Sequence, residues 1–209
     1  MSAETKSHER PIVFSDATVR AILAGRKTQV RVPVTARRSG DTWKFKPCPY
    51  GQPGDRLWVR ETWAPGDELL EHYERDAPYH YFYRADGMLR SVRTRPGRPD
   101  VFRDRGTEHG WNLDKLRWRP SIHMPRDASR LTLDVVSVRA EFLKNISTAD
   151  CVAEGIEIVD HAGKEYAPRP EDFMFSWDSA HARRGPRWSM NPTVWVIEFR
   201  KINKQKEGK

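Results

Sequence analysis

The sequence predicts an α+β fold in which several strands close a small barrel flanked by helices. Three observations carry this. Elements read along the chain run strand, helix, several strands, helix, helix, strand, without the regular alternation of a parallel sheet. Residues 56–63 and 131–139 alternate with the period of two that a half-buried strand requires. Residues 193–200 are apolar almost throughout, the pattern of a central strand covered on both faces. There is no GxGxxG loop, no Walker loop and no internal repeat.

Taken in order, residues 1–10 read as a disordered N-terminus and 11–202 as a single domain. Residues 11–14 form a short strand. Ser15 and Asp16 offer N-cap chemistry for a helix over 17–24, with Val19, Ile22 and Leu23 on one face. Gly25 fits the left-handed position that ends many helices. Arg26, Lys27, Thr28, Gln29 and Arg31 then follow within a segment kept extended by Pro33. Residues 37–46 suit a hairpin, with Trp43 and Phe45 on one face. In the strand over 56–63, Leu57, Val59, Glu61 and Trp63 share a face. That makes Glu61 either a partly buried carboxylate paired to a cation or a residue at a frayed end.

Residues 64–120 are rich in Arg, Pro and Gly, with one strand over 79–84, and read as an irregular insertion or flap. A turn-rich stretch follows at 118–126, then the strand over 131–139. Ser147 and Asp150 have the spacing of a capping box, opening a helix that stops near Gly155. A second helix over 171–182 offers Phe173, Phe175 and Trp177 for burial. Trp188 and Trp195 read as core, and 203–209 as a basic tail.

The 209 residues suffice to bury one sizeable core. No run approaches the roughly 18 apolar residues of a membrane span. The first ten residues lack the apolar stretch of a secretory signal, so a soluble, cytoplasmic protein is expected. Cys48 and Cys151 are expected to be reduced. Without CxxC or HExxH, and with histidines at no ligand spacing, neither a metal nor a cofactor is expected. A net charge of +8 favours anionic partners, nucleic acid or nucleotides among them. The eight Trp and six Tyr divide between core packing and stacking on bases.

Residues 22–28 (Ile22 to Thr28), the strand with Gly54, Trp58, Glu61 and Trp63, the helix end at Ala153, Glu154 and Gly155, and the strand with Val194, Trp195 and Phe199 together resemble an ASCH domain. With the stretch at 118–126, the pattern is similar to the phage-associated branch of that family. The resemblance spans nearly all of 11–202 and implies a PUA-like β-barrel. It implies two kinds of function: RNA binding, or removal of the acyl group from N4-acylated cytidine. In such amidohydrolases the site resembles a Lys in the Gly-x-Lys segment, a Thr three residues later and a Glu from a helix. Here these fall on Lys27, Val30 and Glu154, so the hydroxyl is missing at its place.

The first expectation is therefore an amidohydrolase acting on modified pyrimidine nucleosides, with Lys27 and Glu154 as its working pair and Thr28 a weaker candidate nucleophile. Arg26 and Arg31 supply charge, Arg31 or backbone N–H groups near Gly25 an oxyanion donor. Trp58, Trp63 or Tyr83 would stack on the pyrimidine, and Glu61 and His123 would line the pocket. The plainer account of Lys27 and Glu154 is a salt bridge joining loop to helix. The second expectation is a non-catalytic module binding RNA or DNA. A ribonuclease using His123 and His109 is a third. The oligomeric state is left open.

Overall fold

The computed structural model describes residues 7–39, 42–65, 79–92, 104–105, 116–159, 165–181 and 185–202. It is α+β, built on a mixed five-stranded sheet. The strands are β1 (Glu9–Val13), β2 (Gln29–Pro33), β5 (Arg56–Arg60), β10 (Thr132–Phe142) and β13 (Thr193–Lys201), in the order β1-β5-β10-β13-β2. Hydrogen bonds from Arg56 N–H to His8 O and from Phe14 N–H to Arg60 O advance together along β1 and β5, so these two run parallel. The β10–β13 and β13–β2 ladders are antiparallel. Among the described residues the ladder does not close from β2 back to β1, so the sheet is open there. Glu9 and Arg10 belong to β1, which corrects the disordered N-terminus at its last two residues.

The chain divides into two compact units. The first comprises Met1–Arg10, Ala21–Leu57 and Leu133–Lys209. In it the central strand β13 takes β10 on one edge and β2 on the other, as its apolar run requires. Val194 and Val196 join Leu143, Ile146 and Cys151 in a core completed by Phe173 and Trp177 of α3 (Pro170–His181). Phe173 and Trp177 are four residues apart and share a helix face, whereas Phe175 points away and is 70% exposed, against expectation. Trp188 packs on this core only partly buried, and Trp195 is likewise half-buried. The expected hairpin is present as β3 (Ala36–Ser39) and β4 (Thr42–Phe45); Phe45 is exposed, and the Trp43 side chain lies outside the described residues.

The helix α2 (Thr148–Ala153) begins as expected. The Ser147 side chain accepts from Asp150 N–H, and the Asp150 carboxylate accepts from Ser147 N–H, at 3.1 and 3.0 Å. Gly155 ends it at φ +75°, and a Cβ there would meet the Cβ of Lys27 at 3.0 Å.

The second unit comprises Pro11–Arg20 and Trp58–Thr132. The stretch 56–63 is not one strand. It breaks after Arg60, and β6 (Trp63–Pro65) pairs instead with β7 (Tyr79–Tyr83), while Trp63 bridges to Arg119. Residues 64–120 carry more regular structure than their composition suggested. Besides β7, β8 (Leu89–Val92) and β9 (Asp104–Arg105) complete a four-stranded sheet. Arg and Gly there masked the short strands, because β pairing needs only backbone and a fitting neighbour. Tyr81 and Tyr83 join one apolar cluster and Phe82 another, so β7 is covered on both faces. The expected basic tail at 203–209 lies outside the described residues.

Replacing Ser147 by Ala removes one half of the capping box. It should lower the urea midpoint by an amount equivalent to about 1 kcal/mol with an unchanged denaturant slope.

Candidate functional site

The site lies wholly within the first unit and follows from two periodicities. Around β2 the odd-numbered residues turn inward: Lys27, Gln29 and Arg31 are buried, Thr28 is exposed and Val30 only half-buried. On α2, Asp150 and its cap residue Glu154 are four apart and share a face. In register, Arg31 lies opposite Val196 of β13, and Val196 lies opposite Arg139 of β10, so Arg31, Arg139 and Glu141 share one sheet face. An inward polar row from the strand thus meets an acidic face of the helix.

The contacts are close. Lys27 Nζ donates to Glu154 Oε2 and to the Glu154 carbonyl, each at 2.7 Å. The Lys27 side chain is 8% exposed and that of Glu154 3%. Arg31, with no exposed side-chain surface, donates to Glu154 Oε1 at 3.1 Å and to Glu141 Oε1 at 2.7 Å, and lies 3.4 Å from Asp150 Oδ2. Each oxygen of Glu154 therefore faces a different cation. Arg139 adds further positive charge, reaching Asp150 Oδ1 at 3.0 Å and Glu141 Oε2 at 3.5 Å. Arg139 adds a third cation beside the three carboxylates and is itself shared with Glu198.

Burial pushes the Asp150 carboxyl up, but N–H and O–H bonds from Ser147, the Arg31 charge and Gln29 outweigh it and hold it at about 2. Burial likewise pushes the Cys151 thiol to about 11 despite Arg31 nearby, so it is no nucleophile at neutral pH. Among the described residues no cluster of His, Cys, Asp or Glu is arranged to hold a metal ion, and both cysteines are free. No helix among them is long and apolar enough to cross a membrane.

Three features bear on chemistry. Among the described residues Lys27 commits two of its three N–H donors, both to Glu154. Arg31 Nε is buried with no hydrogen-bond partner among the described residues. Beside the pair lies a cavity of about 530 Å³, lined by Gly25, Arg26, Gly155, Glu157, Tyr166 and Pro168 among others. Lys27 and Glu154 do not line it; its walls hold their sequence neighbours Arg26 and Gly155, together with Tyr166, Ala167 and Pro168 from a distant segment.

Thr28 is not brought to the pair. It is exposed, and its backbone joins Ala153 O to Phe199 N–H, each at 2.8 Å. Val30 alternates with Arg31 on the other side of β2, so a hydroxyl at this position would not face Glu154. Arg26 forms an ion pair with Glu157, both side chains about half exposed. Glu141, Asp150, Glu157 and Tyr166 were missed. The odd-numbered spacing of Lys27, Gln29 and Arg31 was a signal for an inward polar row, but its partners arrive from distant segments.

Trp58, Glu61, Trp63, Tyr83 and His123 belong to the second unit. Of the two readings of Glu61, the structure gives the buried pair: Arg130 donates to both its oxygens, at 2.9 and 2.8 Å, and to Asp86 at 2.7 Å. Burial pushes Glu61 above its ordinary value against the pull of Arg130. For Arg130, burial acts downward, but Glu61 and Asp86 outweigh it and hold it above its ordinary value. The Arg130 guanidinium lies 4.1 Å from the centre of the Tyr83 ring, and the Tyr83 hydroxyl donates to Ala128 O at 2.8 Å. Trp58 carries the guanidinium of Arg60 at 4.6 Å and that of Arg126 at 5.7 Å. Trp63 carries that of Arg119 at 5.1 Å. Trp58, Trp63 and Tyr83 are all buried, while His123 is exposed on a short 3-10 turn. His109 lies outside the described residues.

No family model, no curated protein and no solved structure matches this chain.

Two outcomes follow from the ion cluster. Arg31→Ala removes the one cation that touches all three carboxylates and should destabilise the protein by about 3–5 kcal/mol in urea unfolding. The depressed Asp150 value gives stability that is full above the ordinary carboxylate range and is lost as pH falls through about 2. Unfolding free energies measured from pH 5 down to 2 should decline in the wild type and decline less in Asp150→Asn.

Proposed function

We propose that the chain is an ASCH-like protein of PUA-type ancestry whose five-stranded sheet stays open among the described residues. We propose that it works as an amidohydrolase removing acyl groups from N4-acylated cytosine nucleosides in the cytoplasm. The observation that supports this reading is the meeting of Lys27 Nζ and Glu154 Oε2 at 2.7 Å away from solvent, from positions 127 apart in the chain.

Without a hydroxyl at Val30, and with Thr28 outside the cluster, the nucleophile is water. Water attacks the acyl carbonyl carbon as its proton passes to Glu154. The uncommitted N–H of Lys27 donates to the developing oxyanion. The tetrahedral intermediate then breaks its C–N bond, and N4 takes up the proton held by Glu154. Cytidine and a carboxylic acid leave, and no metal or cofactor is needed. Arg31 does not touch the substrate in this scheme; it positions Glu154. Gly155 keeps the helix end close against Lys27, where any Cβ would push the lysine away.

A second reading has its own observation. Arg60 and Arg119 stack on Trp58 and Trp63 with no carboxylate partner among the described residues, which suits the phosphates of RNA or DNA. In that case the protein is a binding module, and affinity for short oligonucleotides falls steeply with salt.

Hydrolysis of N4-acetylcytidine, followed by chromatography of released cytidine, tests the first reading. The wild type should turn over, and Lys27→Met, which keeps the aliphatic stem, should lose about 100-fold or more in kcat. Full activity in Lys27→Met removes Lys27 from the mechanism. No turnover of any N4-acylcytidine by the wild type rejects the amidohydrolase.

A further inference from the structure

We infer that Gln29 is a further catalytic residue of the proposed amidohydrolase: its side-chain amide donates, beside Lys27, to the acyl oxygen as the tetrahedral intermediate forms. The role rests on the amidohydrolase reading; the placement of the amide does not.

Gln29 sits midway along the inward row, between Lys27 and Arg31. Those two reach the two oxygens of one carboxylate, so Glu154 lies across from the middle of the row. Gln29 is only 2% exposed, and its Nε2 makes no hydrogen bond among the described residues. The neighbouring acceptors are already served. Glu154 takes Lys27 and Arg31, and Glu141 takes Arg31. Glu198, directly opposite Gln29 in β13, takes Arg139. Asp150 feels the Gln29 amide, but its oxygens take Ser147 and Arg139. An amide oxygen set among carboxylates would be repelled, so the NH2 end faces the cluster.

A buried N–H without an acceptor lowers stability where it stands. An apolar side chain of the same length would fill the space without that loss, so the fold alone gives no reason for a glutamine here. A neutral donor also suits the task. Arg31 is held by three carboxylates, whereas Gln29 can donate to a substrate without breaking an ion pair.

In the reaction, water bonds to the acyl carbon and its proton goes to Glu154, while the carbonyl electron pair moves onto oxygen. That oxygen accepts one N–H from Lys27 and one from Gln29. When the C–N bond breaks, the carbonyl re-forms and N4 takes the proton from Glu154. Gln29 keeps both of its hydrogens throughout. Its bond strengthens as charge develops, so losing it lowers kcat more than it raises KM.

Gln29→Met keeps the length of the side chain and removes the donor. Hydrolysis of N4-acetylcytidine over a range of concentrations, with urea unfolding of the same preparations, tests the assignment. In the variant kcat should fall about 100-fold with KM within about threefold of the wild type, and the urea midpoint should hold or rise. A kcat within about threefold of the wild type removes Gln29 from the reaction. A lower urea midpoint makes the amide a structural partner of Asp150 and overturns the inference, because a donor spent there does not serve the substrate. The two readings fail in different ways. A wild type that turns over beside an equally active Gln29→Met keeps the amidohydrolase and loses Gln29. A wild type that turns over no N4-acylcytidine rejects the amidohydrolase and this role with it.

Discussion

The first unit depends on Arg31. Its side chain has no exposed surface and its guanidinium touches Glu154, Glu141 and Asp150, which come from the end of α2, from β10 and from the start of α2. A buried cation costs several kcal/mol to desolvate, so these carboxylates are required where they are. The converse also holds, because the carboxylates repel one another without it. That mutual need fixes the distance between β2 and α2, and with it the place of Lys27. The lysine then does two things at once. It donates to the last carbonyl of the helix, satisfying an acceptor that would otherwise be orphaned, and it pairs with the side chain of the same residue.

This double role bears on function. Beyond its role at the helix end, Lys27 has a third N–H that its two bonds to Glu154 do not use. In the amidohydrolase proposed above, that N–H serves the oxyanion. Val30 fits the same account. Strand alternation turns it away from the cluster, so the absent hydroxyl removes nothing from the side on which Lys27, Arg31 and Glu154 meet.

Much of the scaffold was readable from local pattern. The capping box at Ser147, the glycine stop at 155 and the apolar run of β13 each state their structure within a few residues. So does the helix over 16–23, whose N-cap hydroxyl is Ser15. Other elements depend on partners that local pattern does not contain. The stretch 56–63 alternates smoothly, yet it breaks before Trp63 because Trp63 bonds to Arg119 and pairs with Tyr83. The strands β8 and β9 are held by pairing, and their composition hides them. Phe175 shows a third cause, since counting apolar residues in a helix without projecting them at 100° per residue puts it in the core. For the site, Lys27 and Glu154 were legible as a pair through resemblance, while Glu141 and Asp150 were not. Nothing near Arg31 in sequence announces three acidic partners, because antiparallel register across β13 and the turn of α2 bring them there.

The central claim is that Lys27 and Glu154 act as one unit on a substrate amide. A double-mutant cycle on kcat/KM for N4-acetylcytidine tests it most directly, using Lys27→Met, Glu154→Gln and the two combined. Groups that act together lose their function together, so the double variant should be no slower than the slower single one. Losses that multiply in the double variant, or a cycle in which neither substitution slows the reaction, would contradict the account.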